Sequence, residues 1–343
     1  MKPRVLKIDP LRIDRGLIGQ AAEIIHNRGL VAFPTETVYG LGANALDPRA
    51  VTGIFEAKQR PLDDPLIVHI SNIEDLYSLA AEVPRQADRL VSRFWPGPLT
   101  VVLKKTGMVP ELVTTGLETV AVRMPSNPIA RSLIEISEVP VAAPSANLFG
   151  RPSPTTAEHV IGDLDGKIDL VLDGGTAEIG VESTVVEFIG DKVLVLRPGG
   201  ISLEELSSIA GDVELADGAP DHAKNSPGKY PSHYSPLANV ILIEEGPEQV
   251  ENALAEASVR SDGGQKVGIM AKEEHARGFG GYDVKVLGPA EDGRTCASRL
   301  FHILREFDDE GIDVIIAESI PEKGLGLAVM NRLRKAAGPP VQN

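Results

Sequence analysis

Residues 30–42 read LVAFPTETVYGLG, an apolar run that passes directly into two hydroxyls, a carboxylate and two glycines. Upstream, Leu17, Ile18, Ala21, Ile24 and Ile25 recur at helical spacing, and Gly29 follows where a left-handed cap would sit. LVAF then reads as a buried strand, which makes the stretch helix, strand and strand-end loop in that order. Open sheets place their binding crevices beyond strand ends, and Gly40 and Gly42 would let main-chain amides approach a ligand closely. Taken alone, a glycine-containing loop is a plain turn more often than a site, so its surroundings decide.

Downstream, Asp47 and Pro48 form an N-cap and first-turn pair, and Val51, Ile54 and Phe55 make an apolar stripe that puts Lys58 at a helix C-terminus. Ser71 with Glu74, Thr155 with Glu158 and Ser202 with Glu205 have capping-box spacing, and Asn127 before Pro128 marks another helix start. Between them LTVVL, VAVRM, VPVAA, DLVLD, STVVEF and VLVLRPG are short, branched segments bounded by Gly, Pro or Asp. The pattern predicts an α/β unit, a mixed sheet wrapped by helices. At 343 residues the chain exceeds the usual single domain, and two units are expected. Residues 209–238 are rich in Gly, Pro, Asp and Ser and read as a linker between residues 1–208 and 239–343. In the last segment NVILI, KVGIM, DVKVL and DVIIAE alternate with helical stretches, as in a small parallel-sheet domain.

Hydrophobic residues make up 42% and charged residues 24%, an ordinary globular composition. The single cysteine, Cys296, rules out an intramolecular disulfide or a thiolate cluster and reads as a small packed thiol. No apolar run reaches the roughly 20 residues of a membrane span, and MKPRVLKIDP lacks the apolar core of a signal peptide, so a cytoplasmic location is expected. A net charge of −15 opposes broad binding to polyanions, and any anionic ligand must meet local positive charge. The chain contains no P-loop, no G-x-G-x-x-G, no zinc-ligand spacing and no G-x-S-x-G, which removes the corresponding enzyme classes.

Several residues carry candidate chemistry. On an extended backbone Lys58 and Arg60 would point to one side and suit phosphate oxygens, and Pro61 favours a loop there. His69 lies within PLIVHI, where a satisfied core histidine is as common as a ligand contact. Arg123 ends VAVRMP, and Ser145 and Asn147 follow VPVAAP with a spacing that lets a hydroxyl and a carboxamide grip one anion. Ser153, Ser183 and Arg197 are further strand-end donors. Each is weak alone, and their accumulation carries the argument.

In order, PTETVYGLG, KQRP with PLIVHI, VAVRMP, APSANLFGRPSPT, VESTVV and LRPG resemble the YrdC-like threonylcarbamoyl-AMP synthases. SPGKYPSHYSP and GLGLAVMNRLRKAA resemble the linker and C-terminal signatures of the longer, two-domain form, which extends the resemblance over nearly the whole chain. The resemblance implies a twisted N-terminal α/β fold around a concave cavity, a smaller Rossmann-like parallel-sheet domain, and a linker that crosses the cavity. By similarity Thr35, Thr37, His69, Arg123, Ala143 and Ser183 would surround threonine. Lys58, Arg60, Asp64, Thr119, Ser145, Asn147, Ser153, Arg197 and Tyr234 would surround ATP, with Lys58 and Arg60 the catalytic cations. Relatives often have Asn or Lys in place of Asp64, whose carboxylate would reach a ribose hydroxyl or a magnesium ion. Lys229, Tyr230 and Pro231 likewise replace a more usual methionine-containing stretch.

The resemblance further implies that the amine of L-threonine captures bicarbonate as a carbamate, which attacks the α-phosphorus of ATP and expels pyrophosphate. Mg²⁺ would accompany ATP, and the product would pass to a tRNA threonylcarbamoyl transferase complex, KEOPS-like or its bacterial equivalent. Direct tRNA binding is not expected. Two rival readings are a carbamoyl transferase of hydrogenase maturation, whose extra domains are not found in this sequence, and an RNA-binding YrdC-like module without adenylate synthesis, which the net charge opposes.

Overall fold

The branched, apolar segments become strands because their side chains suit a pleated, buried surface. The computed structural model describes residues 2–216, 230 and 233–338. It divides the chain into two units, Met1–Phe149 with Ser153–Glu178 and Glu182–Lys229, and Gly150–Pro152 with Ile179–Val181 and Tyr230–Asn343.

The first unit contains β1 (Arg4–Lys7), β2 (Val31–Phe33), β3 (Gly40–Asn44), β4 (Ile67–His69), β5 (Leu99–Lys104), β6 (Thr119–Arg123), β7 (Val141–Ala142), β8 (Leu170–Asp173), β9 (Thr184–Ile189), β10 (Lys192–Arg197) and β11 (Val213–Leu215). They form one mixed sheet in the order β1-β8-β2-β3-β7-β4-β6-β5-β9-β10-β11. Register sets the functional geometry. β4 and β6 run parallel with His69 opposite Arg123, and β5 runs antiparallel to β6 with Thr100 opposite Arg123. Leu99 pairs with Thr184 of the parallel β9, and Val185 with Arg197 of the antiparallel β10. One edge of the sheet therefore collects His69, Arg123, Thr100, Ser183 and Arg197. Thr119 starts β6 at the opposite edge, about 13 Å from Arg123 at 3.3 Å per residue. On that side Gly40 bridges to Ser145.

Helix caps explain several boundaries. Asp47 caps Pro48–Lys58, Asn127 caps Pro128–Ser137, and Ser202 with Glu205 forms a complete capping box on Leu203–Ala210. The other two predicted boxes fail. The helix after Ser71 starts at Glu74 without a side-chain cap, and Thr156, not Thr155, caps Ala157–Leu164. The left-handed residue after Arg15–His26 is Arg28, with φ 65°. Gly29 is required for space, because a Cβ there would lie 2.5 Å from Ile24 Cγ2. Regular structure also continues past residue 208, since β11 pairs with β10 inside the stretch read as linker.

The second unit has β12 (Asn239–Ile243), β13 (Val267–Lys272), β14 (Asp283–Gly288) and β15 (Val314–Glu318), all parallel and ordered β12-β15-β13-β14. Helices Gln249–Asp262 and Gly293–Asp309 connect them, and Gly326–Ala337 follows the last strand. This is the smaller parallel-sheet domain predicted from the sequence. No helix among the described residues is long and apolar enough to cross a membrane.

Candidate active site

The cation at the end of Pro48–Lys58 is fixed by its own loop partners. Gln59 turns left-handed at φ 54°, so Lys58 and Arg60 are not carried on the extended backbone expected of them. Lys58 is buried, and its Nζ donates to the carbonyls of Ser145 at 2.5 Å and Asn147 at 2.6 Å, while its own carbonyl accepts from Phe149 N. The ammonium therefore shapes the SxN loop from beneath. Burial, then the Arg60 charge, holds its pKa well below the usual lysine value, with Asp163 and Asp64 acting in the opposite sense. Arg60 pairs with Asp64 at 2.9 Å and donates to the carbonyls of Asp64 and Pro65. Asp64 is thus the partner of Arg60 in this structure.

At the other edge, Arg123 donates from Nη2 to Glu36 at 2.7 Å and from Nε to the Gly97 carbonyl at 3.3 Å. Arg197 holds Ser183 through its carbonyl at 3.0 Å and its hydroxyl at 3.2 Å, and Ser183 also bonds to Thr100 at 2.8 Å. Arg197, expected beside the nucleotide, is thus bonded to a residue expected beside threonine. His69 places Nδ1 3.2 Å from the Ile67 carbonyl. Burial and then the charge of Arg123 push its pKa down to about 3, which keeps the ring neutral at ordinary pH.

The loop that opened the sequence reading spans these two edges. β2 and β3 pair through Phe33 and Gly40 at the Ser145 end, yet Glu36 reaches Arg123 at the other, so residues 34–39 lie across the sheet. Thr35 and Thr37 share a 2.8 Å hydroxyl contact, and Thr35 closes the turn by donating to Val38 O at 2.6 Å. Gly40 and Gly42 have packed neighbours of their own. A Cβ on Gly42 would lie 2.7 Å from Phe33 and 2.8 Å from Val141, so sheet packing demands this glycine, and Gly40 faces Phe33 and Ala143.

The remaining predicted residues divide. Ala143 donates its amide to Ile67 beside β4, and Ser153 bonds to Glu182. Among the described residues no side-chain hydrogen bond ties Thr119, at the start of β6, to the other candidates. Tyr234 belongs to the second unit, where its ring packs on Phe301 at 5.4 Å and under Arg332 at 5.5 Å. Of the 209–238 linker, residues 217–229, 231 and 232 lie outside the described residues. The sequence reading missed Glu36, Thr100 and Glu182. Glu36 and Glu182 stood inside quoted motifs, and the signal was their position next to the hydroxyl residues Thr35, Thr37 and Ser183. Among the described residues no group of three or more His, Cys, Asp or Glu side chains is placed to hold a metal.

Residues 23–199 match the Sua5–YciO–YrdC family model, described as telomere recombination, and residues 201–338 match the threonylcarbamoyl-AMP synthase C-terminal domain. The threonylcarbamoyl-AMP synthase of Pyrococcus abyssi is 50% identical over 333 residues, covering 95% of this chain and 96% of the relative. That of Bacillus subtilis is 47% identical, covering 96% and 95%. The crystal structure of P. abyssi Sua5 complexed with L-threonine superposes with a TM-score of 0.90 at 48% identity, covering 97% of each chain. With two matching domains in sequence order and relatives aligned over nearly their full length, the chain belongs to the two-domain threonylcarbamoyl-AMP synthase family.

Proposed function

We propose that this chain makes threonylcarbamoyl-AMP and pyrophosphate from L-threonine, bicarbonate and ATP, the activated intermediate for N6-threonylcarbamoyladenosine in tRNA. The observation that carries the reading is the two-ended placement of buried cations in an acidic chain. Lys58 and Arg60 stand beside the SxN loop at one edge, and Arg123 and Arg197 stand at the other. Carbamate, amino-acid carboxylate and triphosphate are all anionic, and fixed cations offset their repulsion and align the attack on the α-phosphorus. Lys58 and Arg60 are the cations we assign to the transferring phosphoryl group. Thr35, Thr37, His69, Arg123, Ala143 and Ser183 belong to the threonine end, and Asp64, Thr119, Ser145, Asn147, Ser153, Arg197 and Tyr234 to the nucleotide.

Mg²⁺ enters this reading as the companion of ATP, because no described side-chain cluster is suited to hold it. The 209–238 linker crossing the site, delivery to a KEOPS-like or bacterial transferase, and a cytoplasmic location are parts of the same proposal. Mass spectrometry of a reaction with all three substrates should show threonylcarbamoyl-AMP. Lys58→Ala, which leaves two buried carbonyls without their donor, should lose at least about tenfold in turnover, roughly 1.4 kcal/mol of barrier. Wild-type turnover in Lys58→Ala and Arg60→Ala would reject the assignment.

A further inference from the structure

Glu36 is buried, 7% exposed, and its two carboxylate oxygens are treated differently. Oε1 accepts from Arg123 at 2.7 Å, whereas Oε2 is shielded from solvent and has no hydrogen-bond partner among the described residues. A buried carboxylate oxygen without a partner is costly and calls for an explanation, and a group that arrives with the substrate supplies one. Arg123 shows the converse. A guanidinium has five N–H donors, and only Nε and one at Nη2 are engaged among the described residues. One acceptor oxygen and several spare donors thus lie side by side.

That pair matches an α-amino-acid zwitterion, whose ammonium needs an acceptor and whose carboxylate needs a donor fork. His69, opposite Arg123 in the sheet, is neutral and adds no positive charge against an ammonium. A bare anion would gain from Arg123 but meet the Glu36 charge. We propose that Glu36 Oε2 receives the ammonium of L-threonine while Arg123 takes its carboxylate, so that the Glu36–Arg123 pair selects amino acids over simple carboxylates. This rests on the threonine end assigned above.

The test uses the full chain and two ligands, L-threonine and its deaminated counterpart 2,3-dihydroxybutanoate, with wild type and Glu36→Gln. Gln keeps an acceptor for Arg123 but removes the charge. The expected result is a loss of L-threonine affinity of about tenfold to a hundredfold, with dihydroxybutanoate affinity unchanged or improved. Equal weakening of both ligands would make Glu36 only a support for Arg123, and unchanged L-threonine affinity would remove it from the site; either overturns the proposal. Should Glu36→Gln fail to fold, Glu36→Asp keeps the charge on a shorter stem and must weaken L-threonine more than dihydroxybutanoate. Arg123→Lys separates the two levels. If it leaves L-threonine affinity untouched, the threonine end itself is misplaced, whatever Glu36 does.

Discussion

At the end of β15 in the second unit, both oxygens of buried Glu318 are taken, Oε2 by the Lys272 amide at 2.8 Å and Oε1 by His275 Nδ1 at 2.6 Å. Lys272 Nζ in turn reaches Gln249, whose amide nitrogen donates to the Ile243 and Ser319 carbonyls. At the end of β6 in the first unit, Glu36 leaves one buried oxygen without a partner and Arg123 keeps donors to spare. Both clusters sit at strand ends, where α/β sheets hold ligands. Position alone therefore does not make a site. A closed hydrogen-bond network braces its own fold, while an open one is completed by what binds there.

The sharpest way to break this comparison is to remove one member from each cluster. Arg123→Ala should cost about 3–5 kcal/mol of stability, because it strands a buried carboxylate, and should abolish L-threonine binding in whatever fraction folds. Denaturant unfolding and calorimetry check both parts. Glu318→Ala should cost about 1–3 kcal/mol by leaving the buried Lys272 amide unpaired, with the KM for L-threonine unchanged. A raised KM there would show that the brace is also a site.

A pH-dependent contribution comes from His69. His69 has a folded pKa of about 3 against 6.5 in a free chain, so between those values the unfolded state binds the extra proton. Stability should fall as pH drops through that window, by up to about 1.4 kcal/mol per unit from this residue. Acid titrations of His69→Gln should show a shallower limb, and an identical limb would assign the acid sensitivity elsewhere.

Much of the fold was legible because local chemistry decided it. Asp47, Asn127 and Ser202 cap the helices they were expected to cap, and the branched segments became strands. The errors have physical causes. Gly29 and Gly42 were read as conformational or ligand-facing glycines, yet both are closely packed, Gly29 by Ile24 and Asp169 and Gly42 by Phe33 and Val141, and the contacts from Asp169 and Val141 are ones no local pattern reveals. β3 escaped notice because GLGAN carries little strand propensity, and β11 because VEL is only three residues long within a Gly- and Asp-rich stretch; both are held by neighbours already in the sheet. For the site, spacing paired Lys58 with Arg60 and Ser145 with Asn147, but it did not bring the two pairs together and gave the first the wrong geometry. A left-handed Gln59 breaks the alternation, and Lys58 grips the main chain of the SxN loop. Glu36 was unreadable in role because its partner is 87 residues away.

The most direct measurement of the central claim is ATP-dependent pyrophosphate release by the purified chain with substrates withheld in turn. Omitting L-threonine or bicarbonate should each abolish release, and serine in place of threonine should give less. Release that persists without either small substrate, or none with all three present, would contradict the account.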